Sequence, residues 1–232
     1  MKQLIRIESD SVHVEGMLEL PDNPTGIVLF AHGSGSSRLS PRNNYVAGVL
    51  REAGMGTLLM DLLTPKEDQD YDRRFDIQLL AKRLDDSVDW LWQYEKTRNL
   101  KIGLFGASTG AAAALQVAAA RGSEIAAVVS RGGRPDLAGN AILETVSAPT
   151  LLIVGGNDHV VIELNQGAYA KLQCERRLDI ISGATHLFEE PGKLELVAGL
   201  ARDWFVQQLA FSQRASTVGA RPAKPGEFRS SV

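Results

Sequence analysis

From Gly26 onward the sequence alternates short apolar runs with longer helical stretches, and that alternation leaves few folds open. Gly26–Ala31 and Gly56–Met60 are continuous apolar runs, as expected of strands covered on both faces. Lys101–Phe105, Ile125–Ser130, Thr150–Val154 and Arg177–Ile181 supply four further strands. Between and after them, Arg42–Ala53, Asp72–Tyr94, Ala111–Arg121, part of Asp136–Val146, Glu163–Leu172 and Lys193–Phe211 read as helices. Strand and helix in alternation predict a parallel sheet with helices on both faces. Upstream, Gln3–Glu8 and Val12–Leu20 alternate apolar with polar residues around Ser9-Asp10-Ser11, as half-exposed antiparallel strands do. The fold class is therefore α/β, with a mixed, mostly parallel sheet. The long helix Asp72–Tyr94 gathers Phe75, Leu79, Leu80, Leu84, Val88, Leu91 and Trp92 near one face, which places Trp92 in the core. Residues 1–211 are expected to form one domain. The Ser130–Thr150 connection has room for about one helix, so no cap domain is expected. Residues 212–232, dominated by Ser, Ala, Arg, Pro and Gly, read as a flexible tail.

Gly106-Ala107-Ser108-Thr109-Gly110 falls at one of the strand-to-helix junctions. A serine there, flanked by glycines, meets the needs of a nucleophile elbow. The turn is sharp enough to strain the serine, small neighbours let the backbone pack close, and the helix N-terminus lies where negative charge would develop. A phosphate-cradling loop is the competing reading, but no Lys-Ser or Lys-Thr closes it and the dinucleotide-binding glycine spacing is not met.

A serine hydroxyl is a poor nucleophile at neutral pH. It needs a base, usually histidine, and the base needs an orienting carboxylate. Sites in open α/β sheets collect at the carboxyl ends of strands. Asp158 follows Thr150–Val154 in the turn Gly155-Gly156-Asn157, and His186 follows Arg177–Ile181 after Ser182-Gly183-Ala184-Thr185. Taken alone, Asp158 is ordinary turn chemistry and His186 an ordinary loop histidine. All three at strand ends, in the order Ser108, Asp158, His186, point to a catalytic triad. His159 is adjacent to Asp158 and its ring is directed elsewhere, while His13 lies in the antiparallel strands away from the strand ends. The backbone N–H of Thr109 is one oxyanion donor. His32-Gly33-Ser34-Gly35-Ser36-Ser37 follows a buried strand, and its glycines let amides turn inward, so the N–H of Ser34 is the second. His32 is expected to buttress this loop, and Asp61 to cap or pair near the rim.

These segments resemble the α/β-hydrolase superfamily. More narrowly, the chain is similar to its small, lidless members related to dienelactone hydrolase. The resemblance is carried by His32–Ser36, Gly106–Gly110, Gly155–Asp158 and Gly183–His186, and spans Gly26 to Phe211. It implies ester or lactone hydrolysis through an acyl-enzyme, without a cofactor. Dienelactone hydrolases proper use a cysteine nucleophile. Serine at position 108 favours a general carboxylesterase, and the absence of a lid favours small, short-chain substrates.

Two arginines, Arg131 and Arg134, follow the strand Ile125–Ser130. They are positioned either to bind a substrate carboxylate or phosphate, or to remain solvated or paired with Asp136. The loop Ser36–Asn44, with Arg38, Arg42 and Asn43, poses the same question. A net charge of −3 with interspersed signs offers nothing to a nucleic acid. No run reaches the roughly 20 apolar residues of a membrane helix. No metal-ligand spacing is present. The one cysteine, Cys174, forms no internal disulfide, which fits a cytoplasmic protein with a small-molecule ester as its partner. Acyl transfer to an alcohol or amine would use the same nucleophile. A non-catalytic binding module on this fold need not retain all three residues.

Overall fold

The computed structural model describes residues 1–214, with side chains up to Leu209. The strands are β1 (Lys2–Ser9), β2 (Val12–Glu19), β3 (Ile27–Ala31), β4 (Gly56–Met60), β5 (Ile102–Ala107), β6 (Ile125–Arg131), β7 (Thr150–Gly155) and β8 (Arg176–Ile181). They form one sheet in the order β1-β2-β4-β3-β5-β6-β7-β8. β1 and β2 form an antiparallel hairpin, β2 runs antiparallel to β4, and every later pairing is parallel. The helices are α1 (Pro41–Glu52), α2 (Ile77–Gln93), α3 (Thr109–Arg121), α4 (Asn140–Thr145), α5 (His159–Lys171) and α6 (Lys193–Arg214). No separate cap domain is present among the described residues. None of the helices described is long and apolar enough to cross a membrane.

The sheet is buried on both sides, as its uninterrupted apolar strands require. On one face Leu29, Leu58, Leu104, Val128 and Leu152 pack with α2 to α5, whose contributions include Leu84, Val88 and the alanines of α3. On the other, Phe30, Phe105, Val129 and Ile153 pack with α1 and α6 through Val46, Leu50, Trp204 and Phe205. Successive strand residues alternate between these cores because the side-chain period is two. Gly103 makes room for one of them: a Cβ there would lie 2.6 Å from the Phe205 ring. A central β5 carries its carboxyl end, and therefore Ser108, to the middle of the sheet's upper edge.

The starts of α2 and α5 depart most from expectation, each for a local reason. The expected helix Asp72–Tyr94 is two pieces, a 3-10 turn at Asp72–Phe75 and α2 from Ile77. Asp76 separates them, because its carboxylate accepts from the Leu79 amide at 3.0 Å and caps the helix. Phe75 consequently leaves the apolar face and lies exposed against Tyr71, with ring centroids 5.1 Å apart. Trp92 is likewise not core. Leu84, Val88 and Leu91 hold the buried stripe, and Trp92, one position further round the helix, is 36 % exposed with the Arg121 guanidinium over its ring. α5 starts at His159, a turn earlier than Glu163, where the β-branched Val160-Val161-Ile162 obscures the helical pattern. Residues 212–214 continue α6, and the rest of the expected tail lies outside the described residues.

Removing the cap at Asp76 should be felt directly. Asp76→Ala is expected to lower stability by about 1 kcal/mol, read as a lower urea midpoint at unchanged slope.

Candidate active site

β5 ends at Ala107 and α3 begins at Thr109, so Ser108 alone makes the turn between them. Its backbone sits at φ 50, ψ −120, a conformation a residue with a Cβ adopts only under constraint. The constraint is visible. The Ser108 amide donates to the Arg131 carbonyl at 3.2 Å, and the Ser108 carbonyl accepts from Ala111 at 3.1 Å and Arg134 at 3.0 Å. The flanking glycines are required by contact. A Cβ at Gly110 would collide with the carbonyl oxygens of Ala31 and His32, and one at Gly106 would collide with the backbone of Ala111. Gly33 closes the arrangement from the β3 side, since a Cβ there would stand 3.0 Å from Ser108 Cβ.

The loop after β3 is held as tightly as the elbow. His32 is buried, and its Nδ1 donates to the Gly33 carbonyl at 2.9 Å while its Nε2 accepts from the Leu62 amide at 2.9 Å. Both ring nitrogens are satisfied only in the neutral form. Asp61, at the end of β4, accepts from the Arg38 amide at 2.7 Å and from the Arg38 guanidinium, which also reaches Glu15 at 2.7 Å. The glycine-serine segment between them is therefore anchored at both ends. Ser34 is exposed within it, next to the glycine that touches Ser108. The Thr109 amide opens α3 and has no intrahelical acceptor.

Asp158 and His186 are brought together from the ends of β7 and β8. His186 Nδ1 donates to Asp158 Oδ2 at 2.6 Å, which leaves Nε2 as the acceptor. Asp158 is also the N-cap residue of α5, yet its carboxylate is committed to His186 and makes no capping bond. Glycine again permits the approach: a Cβ at Gly155 would lie 2.5 Å from the Thr185 carbonyl. The Thr185 amide is in turn held by Glu190 at 3.1 Å. The His186 ring lies against Gly132, where a Cβ would be 3.5 Å from Nδ1, and Gly132 directly follows the residue that binds the Ser108 amide. Ser108 Oγ and His186 are not hydrogen-bonded to each other in this arrangement. Both side chains are partly exposed, and such contacts commonly tighten only with substrate in place. Once closed, the set can pass a proton from a serine hydroxyl to an imidazole whose other nitrogen is fixed by a carboxylate.

The strand β6 extends one residue beyond the expected Ser130 to include Arg131, and the two arginines at its end part company. Arg134 donates to both oxygens of Asp136, at 2.9 and 2.7 Å. Arg131 is only 8 % exposed, and no acceptor meets it. Arg42 in α1 pairs with Glu189 at 2.6 Å, a contact between segments far apart in sequence that no motif signals. Asn165 of α5 is another such residue: fully buried, it donates to the Gly133 carbonyl at 2.9 Å and so fixes the loop after β6. Among the described residues, no three His, Cys, Asp or Glu side chains form a metal-binding cluster.

Comparison with known proteins bears on the fold and the family. A model of the "Dienelactone hydrolase family" matches residues 14–214. A crystal structure of a dienelactone hydrolase from Anabaena variabilis superposes with a TM-score of 0.86 at 54% identity, covering 90% of this chain and 98% of that one. The Est1E structure from Butyrivibrio proteoclasticus shares the fold, with a TM-score of 0.77 at 17% identity over 89% of this chain and 99% of that one. Two curated proteins from Mycobacterium tuberculosis, strains CDC 1551 and H37Rv, are 57% identical over 205 residues, 88% of this chain. They are provisionally named phosphoribosyl transferases, and the chain spans 46% of their length.

The buried His32 has a pH consequence. Desolvation lowers its pKa below the usual 6.5, against the opposing pull of its bond to Gly33 and of Asp61 and Asp68. The unfolded chain therefore binds this proton more readily than the folded one. Stability should be full above about pH 6.5 and decline as the pH falls through the folded-state pKa. Urea midpoints at pH 7 and pH 5 check this. His32→Gln should be less stable at pH 7 and should lose less of its stability on acidification.

Proposed function

The chain belongs to the dienelactone hydrolase family, and from that premise we propose that it is a serine carboxylesterase acting on small, short-chain esters or lactones through an acyl-enzyme. The observation that carries this reading is Ser108 strained at the tip of β5 while, across Gly132, His186 is fixed by Asp158 at 2.6 Å.

In this reading Ser108 Oγ attacks the acyl carbonyl and His186 Nε2 accepts its proton. Asp158 holds the tautomer and stabilises the imidazolium. The amides of Thr109 and Ser34 donate to the tetrahedral oxyanion. The leaving alcohol takes the proton from His186. Water, deprotonated by the same nitrogen, then attacks the acyl-enzyme and releases the acid. Strain at Ser108 supports the assignment, because a non-glycine residue at positive φ persists only where its surroundings enforce it. Burial of His32 supports the second donor by fixing the loop that carries Ser34. Serine in place of the cysteine of dienelactone hydrolases proper is what directs the reading toward general esters. The transferase name of the mycobacterial relatives describes proteins of which this chain matches less than half. The matched 205 residues necessarily include most of 14–214, the hydrolase-family stretch.

Ser108→Ala should reduce kcat/KM for 4-nitrophenyl acetate by about 10³-fold or more while leaving the thermal midpoint close to the parent. A fluorophosphonate probe should label the folded parent at Ser108 and not the variant. Normal turnover by Ser108→Ala would falsify the assignment.

A further inference from the structure

β8 ends the sheet on one side, and among the described residues no strand lies beyond it. Its bonding to β7 has a fixed phase. The Thr150 amide donates to the Glu175 carbonyl at 2.8 Å and the Gly156 amide to the Ile181 carbonyl at 2.8 Å, with an unbroken register between them. In a parallel ladder the N–H and C=O groups of every second residue face the same neighbour, so the odd-numbered residues of β8 are spent on β7. Arg176, Leu178 and Ile180 direct theirs to the open edge, where no described loop or side chain meets them. Such an edge is a template for another strand unless it is blunted. β8 has no proline, no glycine and no bulge against β7. Its two arginines are committed elsewhere. Arg176 lies over the Tyr169 ring at 4.9 Å, and Arg177 donates to Asp179 of its own strand at 3.0 Å. Ile180 shares the α5 side with Leu178 and Arg176 and is 45 % exposed, beside a partly exposed Tyr169.

The charges along β8 select a partner and a register. A second copy related by a two-fold axis runs antiparallel to the first. An axis between residues would oppose outward groups to inward ones, so it must pass through a residue. Through Arg176 or Arg177 it sets two arginines face to face, and through Asp179 two aspartates. Through Ile180 the strands overlap only at their last residues. Through Leu178, Arg177 of each copy stands opposite Asp179 of the other, and Arg176 opposite Ile180. Arg177 and Asp179 then occupy the close, non-hydrogen-bonded pairs, where opposite charges attract and like charges repel. Leu178 with its own copy, and Arg176 with Ile180, occupy the hydrogen-bonded pairs and use every outward N–H and C=O of the strand. Each exposed Ile180 is brought to the Arg176 and Tyr169 of the other copy.

We propose that the open edge of β8 is the docking surface for a second copy of this chain, paired antiparallel about a two-fold axis at Leu178 so that one sheet continues through both copies. The proposal is independent of the hydrolase reading. The competing occupant within the chain, residues 215–232, carries Pro222 and Pro225, which have no N–H to give to a ladder.

Sedimentation equilibrium on the full chain tests it. The 25.1 kDa chain should pass to about 50 kDa with rising concentration, with a Kd of about 1–100 µM, as suits a small interface. Arg177→Asp and Asp179→Arg each set like charges opposite one another, and each alone should weaken the dimer by about 10-fold or more. Mixed in equal amounts, the two variants should restore it, because the mixed pair is complementary again. Ile180→Lys, a surface change that faces Arg176, should melt with the parent yet favour monomers, and it decides the matter if a charge variant fails to fold. A parent still monomeric at about 500 µM overturns the proposal. So does a dimer that survives in Ile180→Lys or in both charge variants, because it uses another surface, and so does a mixture that stays monomeric although both variants fold. Amide exchange reads the edge itself. Exchange at Arg176, Leu178 and Ile180 that is fast in dilute monomer and slow in the dimer supports the pairing. Slow exchange in the monomer means that residues 215–232 fill the edge, and the proposal falls.

Discussion

The close approach of the α3 N-terminus to the carbonyl ends of the central strands is the constraint on which the rest of this molecule depends. Gly110 rests on the carbonyls of Ala31 and His32, Gly106 rests on Ala111, and neither position has room for a single methyl group. That contact ties β3, β5 and α3 together at the middle of the sheet and forces Ser108 into its strained turn. It also decides where the neighbouring loops can go. Gly33 must lie against Ser108, and the loop after β6 must supply the carbonyl of Arg131 and the amide of Arg134 to the Ser108 backbone. The elbow is thus a backbone structure first, and the chemistry proposed for its hydroxyl follows from a position the side chain did not choose.

Around this centre, charge serves placement more than stability. Arg38 with Asp61 and Glu15, Arg42 with Glu189, and Arg134 with Asp136 each pin one loop, and each pair is at least partly exposed. Exposed pairs of this kind contribute about 0–1 kcal/mol. Their value is that several loops, one per strand end, are fixed with respect to one another without a cap domain to clamp them. Arg131 is the exception to that economy. An unpaired cation at this depth opposes folding by several kcal/mol or so.

Much of the architecture was legible because it rests on periodicity. Continuous apolar runs identified β3 and β4, alternation identified the β1–β2 hairpin, and the strand-end positions of Ser108, Asp158 and His186 followed from the order of elements. What escaped was what periodicity does not encode. Asp76 splits the segment expected as one helix because a side chain competes for an amide, and Trp92 leaves the core because one residue is 100° of helix. The Val160-Val161-Ile162 run concealed the first turn of α5 because branched residues are ambiguous between helix and strand. Gly132, Gly155 and Asn165 shape the site through contacts with residues remote in sequence, and nothing in their immediate surroundings announces this.

The sequence by itself determined the α/β class, the mostly parallel sense of the sheet, the serine at the elbow and the strand-end positions of Asp158 and His186. These are properties of local pattern and of the rule that strand ends converge on one edge of a parallel sheet. Only the tertiary structure decided the state of each charge. Arg131 and Arg134 are three residues apart in similar loop chemistry, and on paper they are equivalent. Folding turned Arg134 toward Asp136 at the surface and sank Arg131 beside Arg42, away from every carboxylate. Whether a cation is neutralised, solvated or left unpaired depends on distances and burial in three dimensions, and a linear chain carries no record of either.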